Sequence, residues 1–303
     1  MSLPSFPAKP GPNDLCDSVL ERAQSVNATF EVLADVSELL TSASVPLSSI
    51  DSIIWSHHHM NHIGDASLFP PTTSLVVGPG FKTNPSTYPG YPLNPDAHVP
   101  HAAFEGRDII ELDFNRSTGV LKLGGLRAID WFEDGSLYLL EAPGHAPEYI
   151  MALARTSADK FVLLAGDAAG HPGVIRPSPL RPLPESIVPS PFEPAPNSSS
   201  YSSAHFERAH PSARGPAFRT TPFYEPTAYI MPDPVAGRAT LAALQAFDAS
   251  EHVLVVLAID PSFRASNALS LAHWEQAHGE DTYNRKDAVH WRFLGDFRKG
   301  VEV

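Results

Sequence analysis

An apolar run that leads directly into a group of histidines is the feature that most constrains this chain. Residues 53–55, Ile-Ile-Trp, are typical of a buried strand, and His57, His59 and His62 follow them. Because side chains two residues apart on an extended chain point to the same side, His57 and His59 face one way, and His62 returns toward them after a turn. The pattern predicts metal-ligand geometry where the strand ends.

A histidine-rich surface loop is the alternative interpretation of this group. That interpretation suits a lone histidine better than four of them, at 57–59 and 62, placed between a buried strand and a Gly-Asp turn at 64–65. Neutral imidazole is the commonest protein ligand for zinc and related ions, and a catalytic zinc site uses about three protein ligands with one open position. The metal interpretation is therefore the favoured one.

Composition limits what such a site can do. A chain of 303 residues with 43% hydrophobic content can bury a large core, as one big domain or two modest ones. A net charge of −13 with only 21 Lys and Arg leaves no basic stripe for phosphates, which excludes nucleic acid as a partner and favours a small, neutral or weakly polar substrate. Cys16 is the one cysteine, so no internal disulfide can form and a reducing, cytoplasmic setting is expected.

No leader or membrane segment is expected from the apolar pattern. The N-terminus lacks a basic region followed by an apolar one, and no apolar run approaches the roughly 18 residues of a membrane span. Residues 1–13 form a Pro-rich, extended lead-in. Residues 14–303 are expected to form a single domain, with a helix capped by Asp14 and an amphipathic helix over 28–42.

The middle of the chain is predicted to be mostly β, with helices flanking it. A helix is predicted over 235–247. Besides the run at 53–55, strands are predicted at 74–77, 109–114, 120–123, 127–131, 137–141, 149–154, 161–165 and 252–257.

A segment at about 177–230 interrupts this pattern. Its first part, 177–196, holds eight prolines and leads into a Ser-rich stretch at 197–203. Such a segment cannot pair inside a sheet and is too long for an ordinary connection, so it is either a functional lid or loop, or a disordered insertion. A loop that crosses the mouth of the site is the favoured interpretation.

Two later clusters also place ligand-type side chains where apolar strands end. Pro-Gly-His, ending at His145, follows the strand at 137–141, and Gly-Asp, ending at Asp167, follows the strand at 161–165, with His171 just beyond. A turn histidine held by a backbone hydrogen bond and an Asx-turn aspartate are the structural alternatives. Repetition at the ends of several strands favours function, because such ends bring reactive groups together.

Together these motifs resemble the metallo-β-lactamase-fold superfamily, in particular its fungal lactonase- or hydrolase-like subgroup. The superfamily pattern of His-x-His-x-Asp-His, Pro-Gly-His, Gly-Asp and a final His corresponds here to 57–62, 143–145, 166–167 and 258–260. The resemblance covers roughly residues 30–265. It implies an α+β fold, a four-layer αβ/βα sandwich of two mixed sheets with helices on both outer faces and the metal site at one edge.

The resemblance also implies a ligand set. Its first metal corresponds to His57, His59 and His145 with Asp167 in reach, and its second metal to His62 and Asp167. Two ligands of the second metal are replaced, because the family's Asp is Asn61 and its final His is Ile259. One well-occupied site is therefore expected, holding zinc, with iron and manganese as alternatives for this set of donors.

The function that this resemblance implies is metal-dependent hydrolysis of a small-molecule ester, lactone or thioester in secondary metabolism. Asp167 would steady the metal or take a proton, and Asn61 would offer only a neutral carbonyl oxygen. Asp260 would be a carboxylate beside the place of the family's final His, which is Ile259 here, and His171 would be a proton carrier or substrate contact.

Two other functions remain open at this point. The second hypothesis is a dehydratase, isomerase or cyclase on the same fold, with reduced or lost metal binding. The replacement of two metal ligands is also expected under this hypothesis. A catalytically silent binding or scaffold protein is the third hypothesis. In addition, the Pro-rich lead-in occupies the place of the family's first strands, so the first sheet is expected to be short. Its exposed edge then predicts a homodimer.

Overall fold

The computed structural model describes residues 34–116, 118–192, 200–263, 286 and 289–301. They form two compact units. The N-terminal unit runs to Thr118 and includes Ala146–Ile150, and the C-terminal unit comprises Gly119–His145 and the residues from Met151 on. The predicted lead-in at 1–13 and the helix begun by Asp14 lie outside the described residues. The expectation of a single domain stays a prediction.

The N-terminal unit contains a three-stranded parallel sheet in the order β1-β2-β3. Its strands are β1 (Ser52–Ile54), β2 (Ser74–Val77) and β3 (Ile109–Glu111). Strand β3 ends earlier than the predicted 109–114. Its last residue, Glu111, accepts the backbone N–H groups of Gly80 and Lys82 through its side chain, at 3.0 and 2.7 Å. The buried rings of Trp55, Phe81 and Phe104 pack near this sheet in one core.

Two short helices accompany that sheet. Helix α1 (Val36–Ser42) begins after Asp35, whose backbone N–H donates to the Glu38 carboxylate at 3.0 Å. The predicted helix over 28–42 is thus confirmed only from residue 36, because residues 34–35 are not helical and 28–33 lie outside the described part. Helix α2 (Met60–Ile63) follows β1 and carries the last histidine of the motif.

The C-terminal unit is built on a six-stranded sheet in the order β11-β8-β7-β6-β5-β4. Strand β11 runs parallel to β8, whereas the pairs β4/β5, β5/β6 and β7/β8 are antiparallel. Gly124 and Gly125, both with positive φ, form the tight turn between β4 and β5. The strands are β4 (Val120–Leu123), β5 (Leu126–Asp130), β6 (Leu137–Glu141), β7 (Ile150–Arg155), β8 (Phe161–Gly166) and β11 (Val253–Leu257).

The long helix of this unit is α4 (Pro234–Ala249). Its start is fixed by Asp233, whose carboxylate accepts the backbone N–H groups of Val235 and Ala236 at 3.0 and 2.9 Å, and by proline at the first helical position. The predicted helix at 235–247 is confirmed and extends slightly further at each end. A short helix α5 (Arg298–Val301) lies near the C-terminus.

The segment at 177–230 is more structured than a plain loop. Its described residues contain the antiparallel strands β9 (Ser186–Ile187) and β10 (Tyr201–Ser202) and the helix α3 (Phe206–Ala209). Burial of the aromatic side chains in this segment is favourable, and together with residues near the C-terminus they form a separate hydrophobic core. The buried residues of this core are Leu183, Ile187, Phe206, Ala213, Phe218, Phe223, Trp291, Phe293 and Leu294. A disordered insertion is therefore the wrong description of this part, and a position over the mouth of a site stays a prediction.

These elements confirm the predicted α+β class. None of the helices in the described ranges has both the length and the hydropathy needed to cross a bilayer.

Candidate metal centre

The N-terminal unit supplies a pair of imidazoles directly after β1. The Nε2 atom of His57 lies 3.0 Å from Nδ1 of His59. His57 is 1% exposed, and its ring packs between Tyr149 and His62 with centroid distances of 4.9 and 4.4 Å. The two residues lie two apart on a short loop that bends at Ser56 and His58, and this loop brings the two nitrogen atoms together.

The C-terminal unit supplies a second pair, from the ends of two strands. His145 follows β6 and Asp167 follows β8, and Nε2 of His145 lies 3.7 Å from Oδ2 of Asp167. The Nδ1 atom of His145 donates a hydrogen bond to the carbonyl oxygen of Ile230 at 2.6 Å. That bond fixes the tautomer, so the lone pair on Nε2 is the one that faces Asp167 and can bind a cation.

A glycine makes the position of His145 possible. Gly144 has φ of +136°, and a Cβ atom there would lie 2.6 Å from the Cα atom of Gly237 in α4. The loop therefore passes directly against the first turns of α4, and the carbonyl oxygen of Gly144 accepts the N–H of Asp233 at 3.2 Å. Only glycine fits this close approach of two backbones.

Each pair has the spacing of two ligands of one ion. Nitrogen or oxygen ligands that bind zinc tetrahedrally at 2.0–2.2 Å lie about 3.3 Å from each other. The 3.0 Å and 3.7 Å separations bracket that distance. Within the described residues, the N-terminal unit offers His57 and His59 as ligands of a metal ion, and the C-terminal unit offers His145 and Asp167.

Three neutral imidazoles and one carboxylate therefore fit a divalent cation. The set is the one that the sequence motifs predict for the first metal. His62 is outside it, and so is Asn61, which lies half-buried in α2. Ile259 is half-buried just after β11 and has no donor atom to offer. The proposed roles of His62 and Asn61 stay predictions.

Asp260 and His171 make other contacts within the C-terminal unit. Asp260 is buried, accepts the N–H of Ser262 at 2.9 Å and lies 3.8 Å from Nη1 of Arg176. The Nδ1 atom of His171 accepts the N–H of Gly173 at 2.9 Å, while its Nε2 lies 3.0 Å from the Asp296 carboxylate. Both ring nitrogens of His171 are thus engaged by the protein, and the catalytic roles expected for these two residues stay predictions.

Sequence reasoning missed a buried pair beside the first two histidines. The carboxylate of Glu148, 1% exposed, contacts the Nδ1 atom of His58 and accepts the backbone N–H of His58 at 3.2 Å. Burial raises the pKa of Glu148, but the hydrogen bond and charge of His58 outweigh burial and hold that pKa below its usual range. The available signal was an acidic residue placed just before a strand that begins with five apolar residues, because a buried glutamate requires a partner.

A second buried group of charges was also missed. The guanidinium of Arg176 donates to the Asp248 carboxylate at 2.7 and 3.0 Å, and Lys286 donates to the backbone oxygens of Asp248 and Val253, each at 2.7 Å. Burial lowers the pKa of His290, beside this group, well below its usual range, and the neighbouring positive charges add to the effect. The group ties α4 to the residues before and after it.

No family model matches the chain, but individual proteins do. It is 33% identical over 285 residues to the metallo-hydrolase mfmC of Annulohypoxylon moriforme, a match that covers 92% of this chain and 70% of that protein. It is 50% identical over 152 residues to gamma-lactamase MBL2 of Gibberella moniliformis (50% of this chain, 62% of the relative).

A third relative is gamma-lactamase FDB1 of Fusarium pseudograminearum, 44% identical over 167 residues, which are 54% of this chain and 40% of that protein. The chain therefore spans less than two thirds of either gamma-lactamase. Among solved structures, an N-acyl homoserine lactone hydrolase with product at its catalytic metal centre matches 47% of this chain and 48% of its own, with 18% identity and a TM-score of 0.35.

Proposed function

Because this chain belongs to the metallo-hydrolases of the metallo-β-lactamase-fold superfamily, in its fungal lactonase-like subgroup, we propose that it hydrolyses a small-molecule carbonyl compound. Membership follows from identity to a metallo-hydrolase over most of both chains. The observation that carries the proposal is the ligand set, because each unit holds two donor atoms at the spacing of one coordination shell.

We propose that His57, His59, His145 and Asp167 hold one ion, and that the ion is zinc. Iron or manganese would suit the same donors, and availability decides as much as affinity. When bound, such an ion supplies Lewis-acid polarisation of a carbonyl group and lowers the pKa of water. The replacements Asn61 and Ile259 support one ion rather than two, since a neutral amide binds weakly and an alkyl side chain not at all.

The protein's own groups have distinct tasks in this proposal. The carbonyl oxygen of Ile230 holds the His145 ring by its Nδ1–H, so that the ring cannot turn away. The Asp167 carboxylate would either steady the metal or take a proton from the reacting water. Tyr149, fully buried, covers one face of the His57 ring and keeps bulk water from it.

For the substrate, we propose a cyclic ester or amide, a lactone or lactam, with open-chain esters and thioesters as alternatives. Two relatives are named gamma-lactamases, which supports a five-membered ring that carries the carbonyl group. A net charge of −13 disfavours an anionic substrate. The non-hydrolytic alternative, a dehydratase, isomerase or cyclase, is favoured only by the replaced residues Asn61 and Ile259.

A substrate panel tests this proposal. The zinc-loaded protein is incubated with a γ-lactone, a γ-lactam and a thioester, and products are identified by mass spectrometry. From the lactone or the lactam we expect a ring-opened acid that is heavier than the substrate by one water, and from the thioester an acid and a thiol. These products should be absent for His145→Ala and present for His252→Ala, a change at an exposed histidine. A product of unchanged mass would show isomerisation and contradict hydrolysis.

The cellular location, metabolic role and oligomeric state of the enzyme are also proposals. We propose that the enzyme acts in the cytoplasm, because its one cysteine cannot form an internal disulfide, and in secondary metabolism, as the resemblance of its motifs to the fungal lactonase-like subgroup implies. We also propose a homodimer, on the expectation of a short first sheet with an exposed edge. A mass in solution that matches one chain would contradict the dimer.

A further inference from the structure

The loop that carries His57 and His59 is held by the residues that follow His145 in the sequence. The N–H of Ile150 donates to the carbonyl oxygen of Ser56 at 2.9 Å. At the next position the acceptor is a side chain: the backbone N–H of His58 donates to Oε1 of Glu148 at 3.2 Å. The stretch Ala146–Ile150 thus holds this loop by one backbone and one side-chain hydrogen bond.

His58 lies between the two ligands but belongs to a different contact. The chain bends at His58, so that its ring contacts Glu148 while the ligand nitrogens of His57 and His59 lie next to each other. Its ring nitrogen Nδ1 contacts the same Oε1 atom of Glu148 that accepts its backbone N–H. One carboxylate oxygen thus holds both the backbone and the ring of the residue between two metal ligands.

The burial of this pair makes the contact specific. Glu148 is 1% exposed and His58 is 7% exposed, so water does not compete for either partner. A carboxylate taken out of water requires a hydrogen-bonded or charged partner, and His58 provides both kinds of contact. Movement of the loop at His58 would leave the Glu148 carboxylate buried without that partner, which resists such movement.

We infer that Glu148 is a positioning residue for the metal site, which holds the ligand nitrogens of His57 and His59 at 3.0 Å by fixing His58 between them. The inference rests on the proposed function, since it requires that these imidazoles bind an ion. Residues that orient metal ligands without touching the metal typically contribute 10- to 100-fold to its affinity.

The test is the zinc affinity of Glu148→Gln, measured by competition with a chromogenic chelator. The substitution keeps the size of the side chain and removes its charge. We expect the dissociation constant for zinc to rise by about 10-fold or more. The matched control is Glu105→Gln, the same change at an exposed glutamate of the same unit, which should leave that constant unchanged.

A second measurement separates positioning from a purely structural role. The visible spectrum of the Co²⁺-loaded protein reports ligand geometry, and we expect Glu148→Gln to change band positions and intensities, whereas Glu105→Gln keeps them. A double-variant cycle adds His58→Asn, which should cost little more zinc affinity once Glu148 is already replaced. If Glu148→Gln does not fold, Glu148→Asp is measured in its place, because it keeps the charge but draws the carboxylate back from His58.

The outcomes distinguish the two proposals. If the unchanged protein binds neither zinc nor Co²⁺, the proposed function and this inference both fail. If the unchanged protein binds zinc and Glu148→Gln binds it equally tightly with an unchanged cobalt spectrum, this inference alone is overturned, even where the melting temperature of the metal-free protein falls.

Discussion

The two pairs of metal ligands are assembled in different ways. In the N-terminal unit, His57 and His59 are two residues apart on one short loop, so their proximity is a local property of the chain. In the C-terminal unit, His145 and Asp167 come from the ends of β6 and β8 and depend on a correctly formed sheet, on the Ile230 carbonyl and on α4. Substitutions far from the loop should leave the spacing of His57 and His59 unchanged, whereas substitutions in the sheet or in α4 should change the spacing of His145 and Asp167.

Removal of one ligand from each pair gives the largest expected effect. His57→Ala and His145→Ala should each weaken zinc binding by more than about 100-fold, beyond the range of residues that only orient ligands. Losses of similar size are expected because both pairs are proposed to bind one ion. Isothermal titration of each metal-free variant with zinc measures this, and nearly unchanged affinity in one of them would mean that the pairs do not share an ion.

The buried charge pair in the C-terminal unit comes next. Asp248→Asn removes the carboxylate that Arg176 hydrogen-bonds and leaves the buried guanidinium with the more distant Asp260 carboxylate at 3.8 Å, which should lower the free energy of unfolding by about 3 kcal/mol. Glu141→Gln, in the more exposed pair with Arg127, should cost at most about 1 kcal/mol. Urea unfolding compares the two variants, and equal costs would contradict a stabilising role for the buried pair in α4.

The glycine before His145 should show the dependence of the second pair on α4. Gly144→Ala forces a Cβ atom against Gly237 at positive φ, so we expect a loss of roughly 2 kcal/mol in stability together with weaker zinc binding. Gly125→Ala also has positive φ but open space around it, and should cost about 1 kcal/mol with zinc binding unchanged. Zinc binding equally strong in both variants would show that α4 does not position His145.

The smallest expected effect is a change in pH dependence at His290. Its pKa in the folded protein lies well below the unfolded value of about 6.5, so below that pH the unfolded chain takes up a proton that the folded protein does not. The free energy of unfolding therefore decreases as the pH is lowered below about 6.5, and this group contributes up to about 1.4 kcal/mol per pH unit. His290→Gln should reduce that slope between about pH 6.5 and pH 5, and a slope identical to that of the unchanged protein would contradict a buried neutral His290.

Much of the sheet could be predicted because its strands are encoded locally. Strands β2, β4 and β6 match their predicted bounds, since apolar runs between turn residues identify them without tertiary information. The ligand residues were likewise recognisable, because each ends such a run. The fold class followed from the motifs that resemble the metallo-β-lactamase-fold superfamily.

What could not be predicted depends on partners distant in sequence. Nothing near His58 indicates that Glu148 accepts its N–H, and nothing near His145 indicates the Ile230 carbonyl. The core within 177–230 was missed for the same reason, since its prolines suggested a loop while burial of Phe206 and Phe223 required tertiary contacts. Local patterns determine where a strand ends, and long-range contacts determine what holds the side chain found there.

The most direct test of the shared ion is its stoichiometry. Elemental analysis of the protein purified without added metal should give about one equivalent of a divalent transition metal, predominantly zinc, and none in His59→Ala or in Asp167→Ala. An unchanged protein without metal, or one full equivalent retained when either pair is broken, would contradict the account.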